Sequence, residues 1–154
     1  MSRDASDDDV SAIRARARAR AAELKLPYAG ALLPAEAHVL MRAGARLVDV
    51  RTKPEFQYVG RVPDSVLVEW QTYPGSVTNP DFLGQLGDAA KPGETLLFLC
   101  RSGHRSHDAA AAAAKSGWPD SYNVLEGFEG PKDAEQHRGT IGGWRKAGLP
   151  WVQG

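Results

Sequence analysis

The chain has 154 residues, with 19 Lys and Arg, 19 Asp and Glu, and one cysteine. This length suits one domain with a proper core and is too short for two ordinary ones. The balanced charge gives no overall field that favours nucleic acid or an anionic membrane, so we expect neither as a partner. A single cysteine excludes an intramolecular disulfide framework, and no apolar segment resembles a signal peptide or a membrane span. We therefore expect the reducing cytoplasm as the location.

The first predicted element is an N-terminal helix. Residues 1–9 are acidic rather than Arg-rich, which argues against an organelle transit peptide. Apolar residues then recur at steps of three and four until Pro27 and Gly30 end the pattern. These positions are Val10, Ile13, Ala17, Ala21 and Leu24. We expect a helix of about four turns outside the core fold, so that residues 1–29 form an acidic segment and helix, and residues 30–154 form the main domain.

The same helix carries a basic run, made of Arg14, Arg16, Arg18 and Arg20. Such a run is able to contact RNA or a membrane surface. It is also typical of a solvated helix face whose other side packs on a domain, and we favour this second interpretation.

Helical and strand patterns alternate after Gly30. Pro34 at a first helical position and Gly44 after the last one predict a helix between them. Short apolar runs predict strands at residues 46–50, 66–70, 95–99 and 122–125. The alternation favours an α/β domain with a mostly parallel central sheet flanked by helices. The alanine run at 109–114 predicts a helix that packs closely on this sheet.

Cys100 lies where the apolar run 95–99 gives way to a polar loop and the alanine-rich helix. A thiol at the end of a strand, facing a helix N-terminus, lies among unpaired N–H groups that favour a thiolate. Arg101 and Arg105 add positive charge, and Gly103 lets the backbone approach an anion. The alternative is a buried cysteine that acts as a small hydrophobe.

Four motifs, taken in order over roughly residues 30 to 154, resemble those of the rhodanese-like domain family. They are Leu47–Arg51 followed by Glu55-Phe56, the turn Gly60–Ser65, the loop Cys100–Ser106, and the segment from Gly142-Gly143-Trp144 through Pro150. In the second motif, Arg61 stands where the family often has histidine. The resemblance implies a single rhodanese-like domain of the thiosulfate sulfurtransferase type.

Loop length separates this family from its nearest rival. Tyrosine phosphatases, and the dual-specificity phosphatases that share the rhodanese fold, have one more residue between cysteine and arginine. Only four residues separate Cys100 from Arg105, and Ser106 stands where a phosphatase needs its arginine. We therefore expect a ring of N–H groups that holds a persulfide sulfur rather than a phosphoryl group.

The resemblance implies that Cys100 is the catalytic nucleophile. It takes a sulfane sulfur from a small anionic donor such as thiosulfate, and the persulfide passes it to a thiol or cyanide acceptor. No cofactor or metal ion is expected. The loop residues implied in substrate binding are Arg101, Ser102, Gly103, His104, Arg105 and Ser106. His104 and His107 are expected to have no acid–base role, because attack on a persulfide by a thiolate needs no general base.

Asp49 and Arg51 are expected to support the loop from the neighbouring strand end, with an ordinary surface salt bridge as the alternative. Residues 130–139 form an insertion relative to the family pattern, which we expect to be an exposed loop that either roofs the site or has no role. A second hypothesis for the whole chain is a persulfide carrier or protein-interaction module with little turnover of small molecules.

Overall fold

The computed structural model describes residues 7–154, without the side chains of residues 7 and 8. Most of the acidic start predicted for residues 1–9 therefore lies outside the described residues. The helices are α1 (Asp7–Leu24), α2 (Pro34–Arg42), α3 (Phe82–Ala89) and α4 (His104–Ala114), with a π-helix at Glu55–Val59. The strands are β1 (Gly30–Leu32), β2 (Arg46–Asp49), β3 (Val66–Leu67), β4 (Gln71–Thr72), β5 (Val77–Thr78), β6 (Leu96–Leu99) and β7 (Ser121–Val124).

A parallel sheet of five strands, in the order β1-β7-β6-β2-β3, forms the centre of the fold. Strands β4 and β5 form a separate antiparallel pair. In the central register, Leu47 of β2 lies opposite Leu97 of β6, and Leu97 lies opposite Tyr122 of β7. The predicted α/β architecture with a parallel sheet and flanking helices is confirmed.

Both faces of the sheet are covered, as parallel sheets require. Successive side chains of β6 alternate between two apolar clusters: Phe98 packs with α3 and α4, whereas Leu97 and Leu99 pack with α1 and α2. The same alternation turns Cys100 toward the α4 side. The alanine run behaves as predicted, because Ala109 and its neighbours Ala110 and Ala113 are fully buried between α4 and the sheet.

The predicted N-terminal helix is present, and it packs on the hydrophobic core. Helix α1 has 18 residues, about five turns, and its Ile13 and Ala17 belong to the same cluster as Leu97. Helix α1 and strand β1 approach closely because the residues that face each other are small: a Cβ at Gly30 would lie 2.9 Å from the Ala17 Cβ. Gly30 therefore allows the helix to cross the edge strand β1.

Four arginines of α1 make ion pairs with two carboxylates of the domain. Arg14 and Arg18 lie 2.8 and 3.5 Å from Asp120, and Arg16 and Arg20 lie 3.1 and 2.6 Å from Glu36. Each carboxylate thus meets two arginines spaced one helical turn apart. These contacts support the interpretation of the basic run as a helix face packed on the domain.

The other differences from the predicted elements concern short segments. The strand predicted at 66–70 ends at Leu67, although Trp70 N still donates to the carbonyl of Val50 at 3.1 Å. Strand β1, the β4–β5 pair, α3 and the π-helix were not predicted. No helix within residues 7–154 has the length and apolar character needed to cross a bilayer.

Candidate functional site

The Cys100 loop connects the end of β6 to the start of α4. Cys100 is only 1% exposed, and its Sγ accepts a hydrogen bond from the Gly103 N–H at 3.1 Å. Gly103 has φ of 108°, a conformation that favours glycine, and it directly precedes α4. The loop therefore places a backbone donor on the sulfur at the positive end of a helix.

Ser106 links the sulfur to strand β7. Its Oγ lies 3.3 Å from the Cys100 Sγ and donates to Asn123 Oδ1 at 2.6 Å. The amide of Asn123 is oriented by its second contact, because Nδ2 donates to the carbonyl of Gly103 at 3.2 Å. Since the hydroxyl has one proton, the thiol is the donor to Ser106 in this arrangement. A thiolate gains the Ser106 donor only when that hydroxyl turns away from Asn123.

Arg105 is held by a carboxylate that sequence analysis quoted but gave no role. Its Nη1 and Nη2 donate to the two oxygens of Glu55 at 2.7 and 2.9 Å. Glu55 begins the π-helix and also accepts from the backbone N–H and hydroxyl of Thr52, at 3.1 and 2.9 Å. The fork geometry fixes the guanidinium beside the loop.

Both partners of this pair have shifted pKa values. Burial acts to raise the pKa of Glu55, but the hydrogen bonds and charge of Arg105, together with the Thr52 donors, outweigh it and lower the pKa to about 2. The hydrogen bonds to Glu55 raise the pKa of Arg105, and the charges of Glu55, Cys100 and Asp49 add to this. The pair is therefore ionised across the physiological pH range.

Asp49 and Arg51 form a fully buried ion pair rather than a surface salt bridge, with Arg51 Nη2 2.7 Å from Asp49 Oδ2. The same nitrogen donates to the carbonyl of Gly60 at 2.7 Å, and the guanidinium lies 4.4 Å from the ring centroid of Phe128. Phe128 in turn donates its N–H to the carbonyl of Cys100 at 2.8 Å. The pair thus reaches the cysteine loop through one aromatic residue.

Gly127 packs directly on the back of the loop. It has φ of 67°, and a Cβ at this position would lie 2.5 Å from the carbonyl oxygens of both Cys100 and Arg101. Only a residue without a side chain fits between the segment after β7 and the loop. The Glu126-Gly127 motif therefore sets how closely the two approach.

A cleft of about 620 Å³ lies beside the loop. Its walls come from the loop, the π-helix region, the β4–β5 pair and the segment after β7: Thr52, Pro54, Glu55, Tyr58, Val59, Gln71, Tyr73, Ser76, Arg101, Arg105, Glu129 and Arg138. Arg138 belongs to the 130–139 insertion. The insertion therefore forms part of the wall, which supports the expectation that it roofs the site.

One carboxylate organises the insertion. Asp133 Oδ1 accepts from the N–H groups of Glu135 and His137, both at 2.9 Å, and its Oδ2 accepts from the Thr140 hydroxyl at 2.6 Å. The Thr140 hydrogen bond, followed by the backbone donors, lowers the pKa of Asp133. The insertion is a turn-rich segment with a defined internal bonding pattern.

The histidines lie away from this cleft. His104 is exposed, and with Gly103 and Asn123 it lines a second pocket of about 430 Å³. His107 lines the same pocket, and its Nδ1 lies 2.7 Å from the hydroxyl of Tyr28. His107 is therefore more than a helix-surface residue, although neither histidine contacts the sulfur.

The predicted site residues thus fall into three groups. Gly103 and Ser106 contact the sulfur, Arg101 and Arg105 line the cleft, and His104 lies on the other side of the loop. Ser102 has no side-chain hydrogen bond within residues 7–154. Sequence analysis gave no individual role to four residues that complete the arrangement: Glu55, Asn123, Phe128 and Arg138.

Three comparisons with known proteins show what the chain is similar to. The family model described as Rhodanese-like domain matches residues 33–134. The crystal structure of Rv0390 from M. tuberculosis superposes with a TM-score of 0.75 at 45% identity, covering 82% of this chain and 99% of that one.

Curated proteins with similar sequences include named sulfurtransferases. The thiosulfate sulfurtransferase GlpE of Pseudomonas savastanoi pv. phaseolicola is 36% identical over 96 residues, covering 62% of this chain and 80% of that protein. An uncharacterized protein, RC0915 of Rickettsia conorii, is 36% identical over 113 residues, covering 70% of this chain and 82% of that protein.

Proposed function

The chain belongs to the rhodanese-like domain family, and we propose that it is a sulfurtransferase that carries a sulfane sulfur on Cys100. The observation that carries the proposal is the position of the Cys100 Sγ, 3.1 Å from the Gly103 N–H at the start of α4, in the same loop as the Glu55-bound Arg105. The named activity of the thiosulfate sulfurtransferase GlpE, at 36% identity, supports the choice of reaction. The four-residue spacing between Cys100 and Arg105 favours a persulfide over a phosphoryl group.

In the first half-reaction, the Cys100 thiolate attacks the outer sulfur of thiosulfate. A bond forms between the Cys100 sulfur and the outer sulfur, while the bond between the two sulfurs of thiosulfate breaks. The electron pair of the broken bond leaves with sulfite. In the second, an acceptor thiolate attacks the outer sulfur of the persulfide, and the Cys100 thiolate is regenerated. Cyanide can take the sulfur in the same way. Each step conserves charge and needs no external oxidant or reductant.

The loop residues have distinct proposed roles. Arg101 attracts the anionic donor, and the loop N–H groups with the Ser106 hydroxyl stabilise the charge on the persulfide. Arg105 supplies positive charge from a fixed position, because Glu55 holds its guanidinium. Asp49 and Arg51 position the loop through Phe128. A free catalytic thiol also suits the reducing cytoplasm that we propose as the location.

The proposal is tested by intact mass. The reduced protein is mixed with thiosulfate, desalted and weighed beside Cys100→Ser. A gain of one sulfur atom by the wild type alone supports the proposal. No gain with thiosulfate or with an inorganic polysulfide contradicts it.

One observation favours the second candidate, a persulfide carrier that docks a partner protein. Tyr58 and Tyr73 line the cleft and are each 69% exposed, and tyrosine is enriched in protein interfaces. A carrier would load with sulfur but release it slowly to small thiols. Co-purification of a stable partner through this face would distinguish the two candidates.

A further inference from the structure

The cleft beside the Cys100 loop, lined by Arg101 and Arg105, is larger than the proposed donor needs. Its volume of about 620 Å³ falls within the range of ordinary small-molecule sites, about 300–1,000 Å³. A small oxyanion such as thiosulfate fills only a fraction of that space. The remaining volume suits a second and larger reactant, which in the proposed function is the sulfur acceptor.

The charges in the cleft are unevenly compensated. The lining arginines are Arg101, Arg105 and Arg138, and the lining carboxylates are Glu55 and Glu129. Glu55 is bound by both terminal nitrogens of Arg105, and Glu129 lies 3.8 Å from Arg145, outside the cleft lining. Within residues 7–154, Arg101 and Arg138 form no ion pair with a carboxylate. The cleft therefore presents two guanidinium groups without a negative partner.

Hydrogen bonds hold Arg138 in a defined position relative to the cysteine loop. Its Nη1 donates to the carbonyl of Gly130 at 2.8 Å, and the Gly130 N–H donates to the carbonyl of Arg101 at 3.2 Å. The Glu129 N–H donates to the same carbonyl at 3.0 Å. Only one of the five guanidinium N–H donors of Arg138 is used in these contacts, so the others are available to a ligand.

We infer that Arg101 and Arg138 form a carboxylate subsite that selects the sulfur acceptor, a peptide-sized thiol with two carboxylates. This inference rests on the proposed function of Cys100. The acceptor thiolate attacks the outer persulfide sulfur as above, while its carboxylates pair with the two arginines. Planar guanidinium groups bind carboxylates through paired hydrogen bonds. We assign a small molecule rather than a protein surface because the cleft volume of about 620 Å³ matches that of ordinary small-molecule sites.

The experiment measures the second half-reaction alone. Protein loaded with sulfur is mixed with glutathione or with its diethyl ester, which has the same thiol but no free carboxylates. Wild type should transfer sulfur to glutathione with a kcat/KM about tenfold above that for the ester, the effect of one hydrogen bond to a charged group. Arg138→Gln should remove most of this preference, through KM more than kcat. Lys132→Gln, in the same insertion but outside the cleft lining, should retain it.

A binding measurement keeps the inference testable if sulfur loading fails. S-methylglutathione cannot accept sulfur, so its binding to the unloaded protein, measured by calorimetry, reports on the subsite alone. Arg138→Gln should weaken this binding about tenfold, and Lys132→Gln should not. Equal rates with glutathione and its ester, or equal binding by the two variants, would overturn the subsite. Faster transfer to a cysteine-containing protein than to glutathione would also overturn it, in favour of a docked partner.

Discussion

Both oxygens of Glu55 accept hydrogen bonds from Arg105, at 2.7 and 2.9 Å, although the two residues are 50 positions apart in sequence. The pair ties the π-helix at Glu55–Val59 to the first turn of α4. It holds the positively charged guanidinium of Arg105 near Cys100 and prevents it from moving into contact with the sulfur. The cleft wall and the cysteine loop are therefore fixed to each other by one bidentate contact.

The first prediction concerns stability in acid. The pKa of Glu55 is lowered from 4.5 to about 2. The ionised carboxylate therefore contributes to the free energy of unfolding above about pH 4.5, and this contribution is lost as pH falls toward 2. A shift of this size corresponds to roughly 3 kcal/mol. Glu55→Gln should lower the free energy of unfolding at pH 7 by up to that amount and flatten its dependence on pH between about 4.5 and 2. Urea denaturation at several pH values measures this.

Glu23→Gln is the matched control, since Glu23 is exposed and makes no ion pair within residues 7–154. It should unfold like the wild type. If Glu55→Gln retained the acid dependence of the wild type, the pair would not be the source of it.

The second prediction concerns the Ser106 hydroxyl, which lies 3.3 Å from the Cys100 Sγ. A thiolate gains a donor when this hydroxyl turns away from Asn123. Ser106→Ala should therefore slow alkylation of Cys100 by iodoacetamide about tenfold at fixed pH, consistent with one hydrogen bond to a charged atom. Ser116→Ala, beyond the end of α4, serves as the control. Unchanged alkylation in Ser106→Ala would mean that Asn123 keeps the hydroxyl proton throughout.

The third prediction concerns the buried pair of Asp49 and Arg51, both 0% exposed. Asp49→Asn leaves a buried cation without its partner, which costs about 3–5 kcal/mol. Glu94→Gln removes the partner of Arg46 from a pair whose side chains are 38% and 28% exposed, and should cost at most about 1 kcal/mol. Urea denaturation of both variants at pH 7 makes the comparison. Equal losses would show that burial does not set the importance of the Asp49 pair.

The fourth prediction concerns Gly127, which has φ of 67° and no room for a Cβ. Gly127→Ala should displace the loop backbone and lower the rate of sulfur loading at Cys100 by at least about tenfold, because small misplacements at a reacting centre are costly. Gly148→Ala provides the control, since Gly148 has φ of 77° but nothing within 4 Å of an added Cβ. The Gly148→Ala variant should lose only the backbone strain energy of this conformation, about 1–2 kcal/mol of stability. Equal loading by both variants would remove the steric explanation.

Much of the fold follows from local sequence patterns. Strand β6 is apolar at every position because the sheet is covered on both faces, and this continuous pattern is easy to detect. Strands β2 and β7 combine buried apolar residues with polar ones, and their apolar residues still mark them as strands. The alanine run in α4 marks a close helix–sheet contact for the same reason. In contrast, β1 has only three residues and lies between Pro27 and Pro34, so its pairing with β7 depends on tertiary contacts rather than on local preference.

The site was harder to predict because its contacts are long-range. Asn123 meets Ser106 because the register of β7 places it opposite Phe98, two residues before Cys100. A polar residue inside a buried strand was the available signal, since buried amides need partners. Glu55 had a similar signal as an acidic residue in a family motif, but its partner is set by the π-helix. Arg138 follows no family pattern, and only the folded insertion shows where it lies.

The most direct measurement follows labelled sulfur through both half-reactions. Protein loaded from thiosulfate with labelled outer sulfur is freed of excess donor and then mixed with glutathione. We predict that the label first appears on Cys100, one atom per chain, and then leaves the protein within the turnover time measured in steady state. Label that never reaches Cys100, or that remains there while the acceptor is in excess, would contradict a sulfurtransferase that works through a Cys100 persulfide.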